Sequence, residues 1–349
     1  MSRKILVIGG AGFIGINTCH HFLNCGDSVI LLDNMSRKGT DINLEMLKKH
    51  ERASSHLQII VADIRKDKEI LSKVVQQVDA VFHLAAQVAV TTSIVNPQED
   101  FEINVVGTFN VLEAVRQSPN KPHLVYASTN KVYGGLEQVT VIEKSVRYDF
   151  ENRPEGIDET EPLDFHSPYG CSKGAADQYI HDYHRIYGLK TTVLRQSCIY
   201  GRNQFGIEDQ GWVAWFVIAH LLGRPITIYG NGKQVRDLLF VDDLVELYDL
   251  IIKNPEKSSG AIFNVGGGLS NSISLLELLR NLDQLFFFHY DPSYADWRSG
   301  DQPVYISNNK KLQNILGWTP KTNVQKGLQV LVRWTQSHQE TIQKLFSKS

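Results

Sequence analysis

The sequence predicts an α/β protein, with a parallel, doubly wound sheet followed by a smaller C-terminal α/β lobe. Three observations carry this prediction: unbroken apolar runs, helical periodicity between them, and a glycine-rich turn directly after the first run. Strands covered on both faces appear as continuous Val/Ile/Leu segments, and parallel neighbours need a connection long enough to hold a helix.

The elements follow in order. Strands are expected at Lys4–Ile8, Ser28–Leu32, Gln58–Val61, Ala80–Leu84, His123–Ala127 and Thr191–Arg195. Helical spacing of apolar residues falls between them at Gly12–Leu23, Lys66–Val74, Asp100–Arg116 and Ser167–Tyr187. Glu137–Phe165 is polar and acidic, as in a long insertion or loop. After about Tyr200 shorter elements mix with Gly-rich turns, and residues 199–349 are assigned to the smaller lobe. Gly260–Val265 has strand character and is placed to return to the main sheet of residues 1–198, so the two parts interleave.

Composition narrows the function classes. With 36 basic against 38 acidic residues the net charge is −2, and no run of like charge offers a surface for nucleic acid or an anionic membrane. No apolar stretch is long enough for a membrane span, and Met1 to Ile8 lacks the features of a signal peptide. Cys19, Cys25, Cys171 and Cys198 show no paired spacing, so no metal site or disulfide framework is expected, and a reducing cytoplasm is the simplest setting.

The first strand runs into Gly9-Gly10-Ala11-Gly12-Phe13-Ile14-Gly15, which fits both GxxGxxG and GxGxxG. A Cβ in such a turn blocks the approach of a pyrophosphate and the packing of helix on strand. The free amides of the following helix supply donors and a partial positive charge. Eighteen residues after Gly15, Asp33 ends the second strand, where a carboxylate accepts both ribose hydroxyls and repels a 2′-phosphate. NAD is therefore expected over NADP, although Arg37 and Lys38 stand close enough to neutralise a phosphate. Asp63 and Ile64 end the third strand, suited equally to an adenine amino group and to capping a helix.

Tyr169 and Lys173 lie four residues apart, on one face of a helix. An ordinary tyrosine hydroxyl titrates too high for a general base, and a neighbouring ammonium favours its phenolate. Ser128 and Thr129 end the fifth strand and face the ligand crevice of an open sheet, where the Thr129 hydroxyl can bond the oxygen whose proton Tyr169 takes.

These features, with His83-Leu84-Ala85-Ala86, Asn104, Gly107-Thr108, Arg236-Asp237 and Val241-Asp242-Asp243, resemble the extended short-chain dehydrogenase/reductase family of sugar-nucleotide epimerases and dehydratases. The resemblance covers nearly the whole chain and implies a Rossmann domain with NAD. It implies Thr129, Tyr169 and Lys173 as the catalytic trio, and cofactor contacts at Gly9, Gly12, Phe13, Ile14, Gly15, Asp33, Asn34, Ser36, Arg37, Asp63, Ile64, Leu84, Ala85, Ala86, Asn104, Ser128, Tyr169, Lys173 and Gln196. For the substrate it implies Arg236 and Arg298 on the diphosphate, with Gln234 beside them. Thr129 and Asn130 are placed to meet the sugar, and Gln87, Thr91, Thr92 and Ser93 either meet its remaining hydroxyls or cap the following helix. His83 is expected to be structural, and His166 is a weaker candidate for reaching the sugar.

The family's dehydratases carry an Asp-Glu pair after the catalytic threonine; here Asn130 and Lys131 stand there, and neither is a carboxylic acid. Dehydration is disfavoured, leaving epimerase, reductase and decarboxylase. Several stretches are similar to a subgroup acting at C2 of CDP-hexoses: Gln87–Ser93, Asp100–Val105, Ser128–Gly134, Leu163–Tyr179, Asp209-Gln210-Gly211-Trp212 and Gly230–Asp237. A 4-epimerase acting on a UDP-sugar is the nearest rival, and a non-catalytic dinucleotide-binding regulator is the alternative of another class. The helices near Asp100–Gln117 and Ser167–Tyr187 are expected to pair in a homodimer or homotetramer, as in relatives.

Overall fold

The computed structural model describes residues 2–298 and 300–347. Among the described residues fifteen strands occur in order: β1 Lys4–Ile8, β2 Ser28–Asp33, β3 Leu57–Val61, β4 Ala80–His83, β5 His123–Thr129, β6 Val141–Glu143, β7 Tyr148–Phe150, β8 Thr191–Gln196, β9 Cys198–Tyr200, β10 Thr227–Tyr229, β11 Val235–Phe240, β12 Ala261–Val265, β13 Ser272–Ser274, β14 Ser293–Ala295 and β15 Val304–Tyr305. Seven of them form one parallel sheet in the order β12-β8-β5-β4-β1-β2-β3.

The central strand shows why its sequence is apolar throughout. Ile5 and Val7 join one core layer, with Ile16, Phe22 and Leu247, while Leu6 and Ile8 join the opposite layer, with Val111, Val115 and Ile180. Alternate side chains thus enter two cores, as a strand's period of two demands. The chain winds outward from β1 in both directions, so the crevice beyond the carboxyl ends of β1 and β4 is where this topology receives a ligand.

Asp100–Arg116, expected as one helix, is three consecutive segments: an α-helix at Pro97–Phe101, a π-helical turn at Glu102–Val106 and an α-helix at Gly107–Gln117. The wider turn contains Asn104, whose side chain bonds backbone and side-chain groups of the neighbouring loop and helix. Glu137–Phe165 is not a plain loop, because β6 and β7 pair as an antiparallel hairpin. Val141, Tyr148 and Phe150 hold it against a small core of Val235, Val304 and Ile306. Three apolar residues spaced through a polar stretch supply the driving force, and their period is too irregular to be seen beforehand.

The second lobe is built on β13-β11-β15 with β9 beside β11, and on the parallel pair β10–β14. The helix Trp212–Leu222 fills its core with Val213, Ala214, Phe216, Val217 and Ile218. β12, although it follows the lobe's first elements, pairs with β8 at the edge of the main sheet. No helix among the described residues is long and apolar enough to cross a membrane.

Candidate active site

The glycine turn is shaped by contacts that leave no room for side chains. Gly9 has φ +79°, and a Cβ there would sit 2.6 Å from the Ala85 amide nitrogen. A Cβ on Gly15 would lie 2.1 Å from the Gly9 carbonyl oxygen. Gly12 caps the helix Phe13–Asn24 without a side-chain bond, so the first amides of that helix have no intrahelical partner and face the turn. This is an anion site by construction.

Asp33 lies at the crevice end of β2 and is buried. One carboxylate oxygen accepts the Ala11 amide at 3.0 Å and the other accepts the Met35 amide at 2.8 Å. Each oxygen keeps a lone pair for a ribose hydroxyl. Burial raises the Asp33 pKa, while these amides and Arg37 oppose the rise. At the next strand end Arg65 holds the Asp63 carboxyl down to about 2, and Asn34 donates to it at 3.3 Å. Ser36 in turn donates to Asn34 at 2.7 Å. Ile64 packs against Gly107, and its carbonyl accepts the Asn110 side chain at 2.9 Å. These residues form one wall, and the cradle, the ribose carboxylate and this wall together fit a dinucleotide.

Tyr169 and Lys173 both lie on the helix Ser167–Tyr187 and are buried. The Thr129 side chain stands close enough to the Tyr169 hydroxyl to favour its phenolate. Thr129 Oγ1 also accepts the Lys131 amide at 3.2 Å. Lys173 Nζ donates to the Ala127 carbonyl at 2.6 Å and lies 4.2 Å from the centre of the Tyr126 ring. The expectation that Lys173 lowers the Tyr169 pKa needs correction for the protein alone. Burial, helped by the Asp100 charge, pushes Tyr169 up to about 12, and the opposing pull comes from Thr129 and Arg37. Lys173 is itself brought down to about 7 by burial, against Asp177 and Asp100. Desolvation outweighs pair attraction in so enclosed a site.

Several residues expected at the ligand also bond the elements around Thr129, Tyr169 and Lys173. Gln87 donates to the Ala89 carbonyl and to Asp100, and its carbonyl accepts the Ala89 amide. The Ser93 hydroxyl donates to Val90 and accepts the Tyr169 amide at 3.2 Å. Asn104 spans Gln87, Asp100 and Ser172. Ser128 donates to Asp177, and Gln196 donates to Tyr248. His83 is fully buried beside Thr108, a structural position, and burial lowers its pKa to about 3. Thr91 and Thr92 sit on the short helix Val90–Val95. The exposed His166 lines a cleft with Val90, Ile94, Lys131, Gly134, Ser167 and Gly300.

The second lobe closes this cleft. Arg236 pairs with Asp301 at 2.5 Å, and Gln234 donates to the Tyr229 carbonyl at 2.6 Å. Arg298 lies 3.9 Å from the centre of the Tyr229 ring and pairs with Asp209 at 2.7 Å. Asn130 donates to Gln302 at 3.3 Å. Arg37 reaches across from the β2 loop to the Ala86 carbonyl at 3.1 Å and the Gln210 side chain at 2.9 Å. Asp301 and Gln302 had no motif to mark them, since each acts through a partner distant in sequence. Elsewhere, at the opposite end of β1, His21, Cys25 and Asp249 cluster, but Arg3 and Lys253 already take the Asp249 oxygens.

A dinucleotide cradle and a buried Tyr/Lys pair with a hydroxyl partner, all at the carboxyl ends of the sheet's strands, define a dinucleotide-dependent enzyme that moves a hydride at a carbinol carbon. The chain belongs to the NAD dependent epimerase/dehydratase family, whose profile matches residues 5–266, and NAD is its cofactor. It is 45% identical over 342 residues to CDP-paratose 2-epimerase of Salmonella typhi, covering 96% of this chain and 99% of that protein. The UDP-glucose 4-epimerase of Thermotoga maritima, solved with UDP-glucose, superposes with a TM-score of 0.80 at 30% identity, covering 96% and 99% of the two chains. That of Thermus thermophilus, solved with NAD, gives 0.77 at 31% identity, covering 95% and 99%.

Proposed function

We propose that this enzyme inverts C2 of a CDP-hexose, interconverting CDP-paratose and CDP-tyvelose by transient oxidation. The observation that carries the reaction type is the pair after Thr129. Asn130 bonds Gln302 and Lys131 bonds Gly300, so no carboxylic acid stands where elimination of water needs one. The relation to CDP-paratose 2-epimerase supports the base and the carbon.

In this reading Tyr169, as phenolate, takes the proton of the C2 hydroxyl, and Thr129 bonds the same oxygen. NAD, when bound, would supply the hydride acceptor for C2 and the donor that restores C2–H on the other face. Gly9 to Gly15 hold its pyrophosphate, Asp33 its adenine ribose, and Lys173 its nicotinamide ribose. The sugar, oxidised to a 2-ketone, must turn over within the closed cleft before the hydride returns, and Tyr169 then gives back the proton. Arg236 and Arg298 hold the diphosphate through their forked donors.

Deuterium placed at C2 of CDP-paratose should reappear at C2 of the product without exchange. Tyr169→Phe should cut kcat by at least about 100-fold with NAD binding retained. Label lost to solvent, or full activity in Tyr169→Phe, excludes this mechanism; turnover of UDP-galactose in place of CDP-paratose would favour the 4-epimerase reading.

We also propose self-association through the helices Gly107–Gln117 and Ser167–Tyr187. Phe109, Tyr179, Ile186 and Tyr187 are exposed along them, more apolar surface than a lone face ordinarily leaves in water. Light scattering of Tyr179→Asp should report monomers; an unchanged mass would place the interface elsewhere.

A further inference from the structure

We infer that Lys131 binds the β-phosphate of the nucleotide sugar and thereby sets C2, rather than C4, at the Tyr169 hydroxyl. The inference rests on the 2-epimerase reading for the identity of the carbon, though not for the phosphate contact.

Position comes first. Lys131 lies in the 3-10 turn Asn130–Tyr133, which begins directly after Thr129, and its amide bonds Thr129 Oγ1 at 3.2 Å. Its ammonium extends towards the second lobe, donating to the Gly300 carbonyl at 3.2 Å and standing 3.8 Å from Asp301. The same Asp301 oxygen pairs with Arg236 at 2.5 Å. Two cations therefore share one carboxylate at the mouth of the cleft that Lys131 lines with His166 and Ser167.

Charge comes second. One carboxylate cannot neutralise both, and cations held this close in a partly buried site repel each other. Burial, with Arg236 beside it, brings the Lys131 pKa down to about 8, while Asp301 opposes. The surplus positive charge faces a cavity and is relieved by a dianionic group that both side chains can reach.

Chemistry supplies the rest. The diphosphate of a nucleotide sugar is attached at C1, one carbon from the C2 hydroxyl and across the ring from C4. A cation rooted two residues from Thr129 that grips the phosphate pulls C1, and with it C2, to the Thr129–Tyr169 pair. Arg236 and Arg298, on the other lobe, fix the diphosphate without fixing this distance.

The test uses the NAD-loaded enzyme, with Lys131→Met and Lys131→Arg beside the wild type. CDP and CMP are titrated, with UDP and UMP in parallel, so that choice of base is read separately from Lys131. Lys131→Met should weaken the diphosphate by about tenfold or more and the monophosphate by less than about threefold, and Lys131→Arg should restore most of the difference. In single turnovers with sugars deuterated at C2 or at C4, wild type should transfer label to NAD from C2 only, and Lys131→Met should lose that selectivity. Equal weakening of mono- and diphosphate, or none, overturns the phosphate contact; undiminished C2 selectivity overturns the positional role. Preference for the uridine pair would overturn the CDP reading and leave Lys131 judged on UDP against UMP.

Discussion

The Ser172 hydroxyl donates to the buried Asp100 carboxylate, so the residue next to Lys173 is tied to a helix more than seventy positions earlier. Gln87 and Asn104 complete the same network, leaving the Asp100 carboxylate enclosed and fully bonded. The catalytic helix is thereby fixed in depth against the strand-end loop that lines the cofactor crevice.

That network sets a pH dependence. The Asp100 charge supports the Lys173 ammonium and raises the Tyr169 pKa. Removing the charge lowers both values, so Lys173 loses its proton, and Tyr169 becomes phenolate, at lower pH. Asp100→Asn is therefore expected to move both limbs of the kcat/KM–pH profile towards acid. A profile that falls in height without moving would reduce Asp100 to a packing role.

A second buried charge governs stability. Asp177 accepts Arg195 through both oxygens at 3.0 Å and Ser128 at 2.7 Å, and the pair is almost wholly enclosed. Asp177→Ala strands the Arg195 guanidinium and should cost about 3–5 kcal/mol in urea unfolding. Glu246→Ala, which breaks an exposed pair with Lys321, should cost at most about 1 kcal/mol. Equal costs would contradict the burial argument.

Glycine substitutions separate backbone strain from ligand space. Gly188 has φ +64° with nothing within 4 Å of an added Cβ, whereas Gly9 combines φ +79° with contact on Ala85. Gly188→Ala should lose about 1 kcal/mol of stability and no NAD affinity. Gly9→Ala should lose more stability and also bind NAD more weakly, because relieving the clash distorts the cradle. Isothermal titration beside thermal melts tests both; intact NAD affinity in Gly9→Ala would show that the turn tolerates a side chain.

How far the sequence is legible depends on the range of each interaction. The strands of the sheet were evident because burial on two faces leaves an unbroken apolar run, as in Ile5 to Ile8. The hairpin of β6 and β7 was hidden because its anchors, Tyr148 and Phe150, are paired with a core formed by residues far along the chain. Gln87 and Ser93 were recognisable as residues that matter, for the sugar or for the local fold, yet their partners Asp100 and Tyr169 were not. A hydrogen-bonding side chain in a motif looks alike whether it meets a sugar or, like Ser93, the backbone of Tyr169.

By itself the sequence determined the parallel fold, the glycine turn with Asp33, the spacing of Tyr169 and Lys173 on one helix face, and the absence of a carboxylic acid after Thr129. Each is a local matter of residue type and spacing. Only the tertiary structure decided that Asp100 braces the catalytic helix, that burial holds Tyr169 above its ordinary pKa, and that Lys131 and Arg236 share Asp301. Those facts arise from desolvation and from charges brought together across long separations in the chain, and both come into being only when it packs.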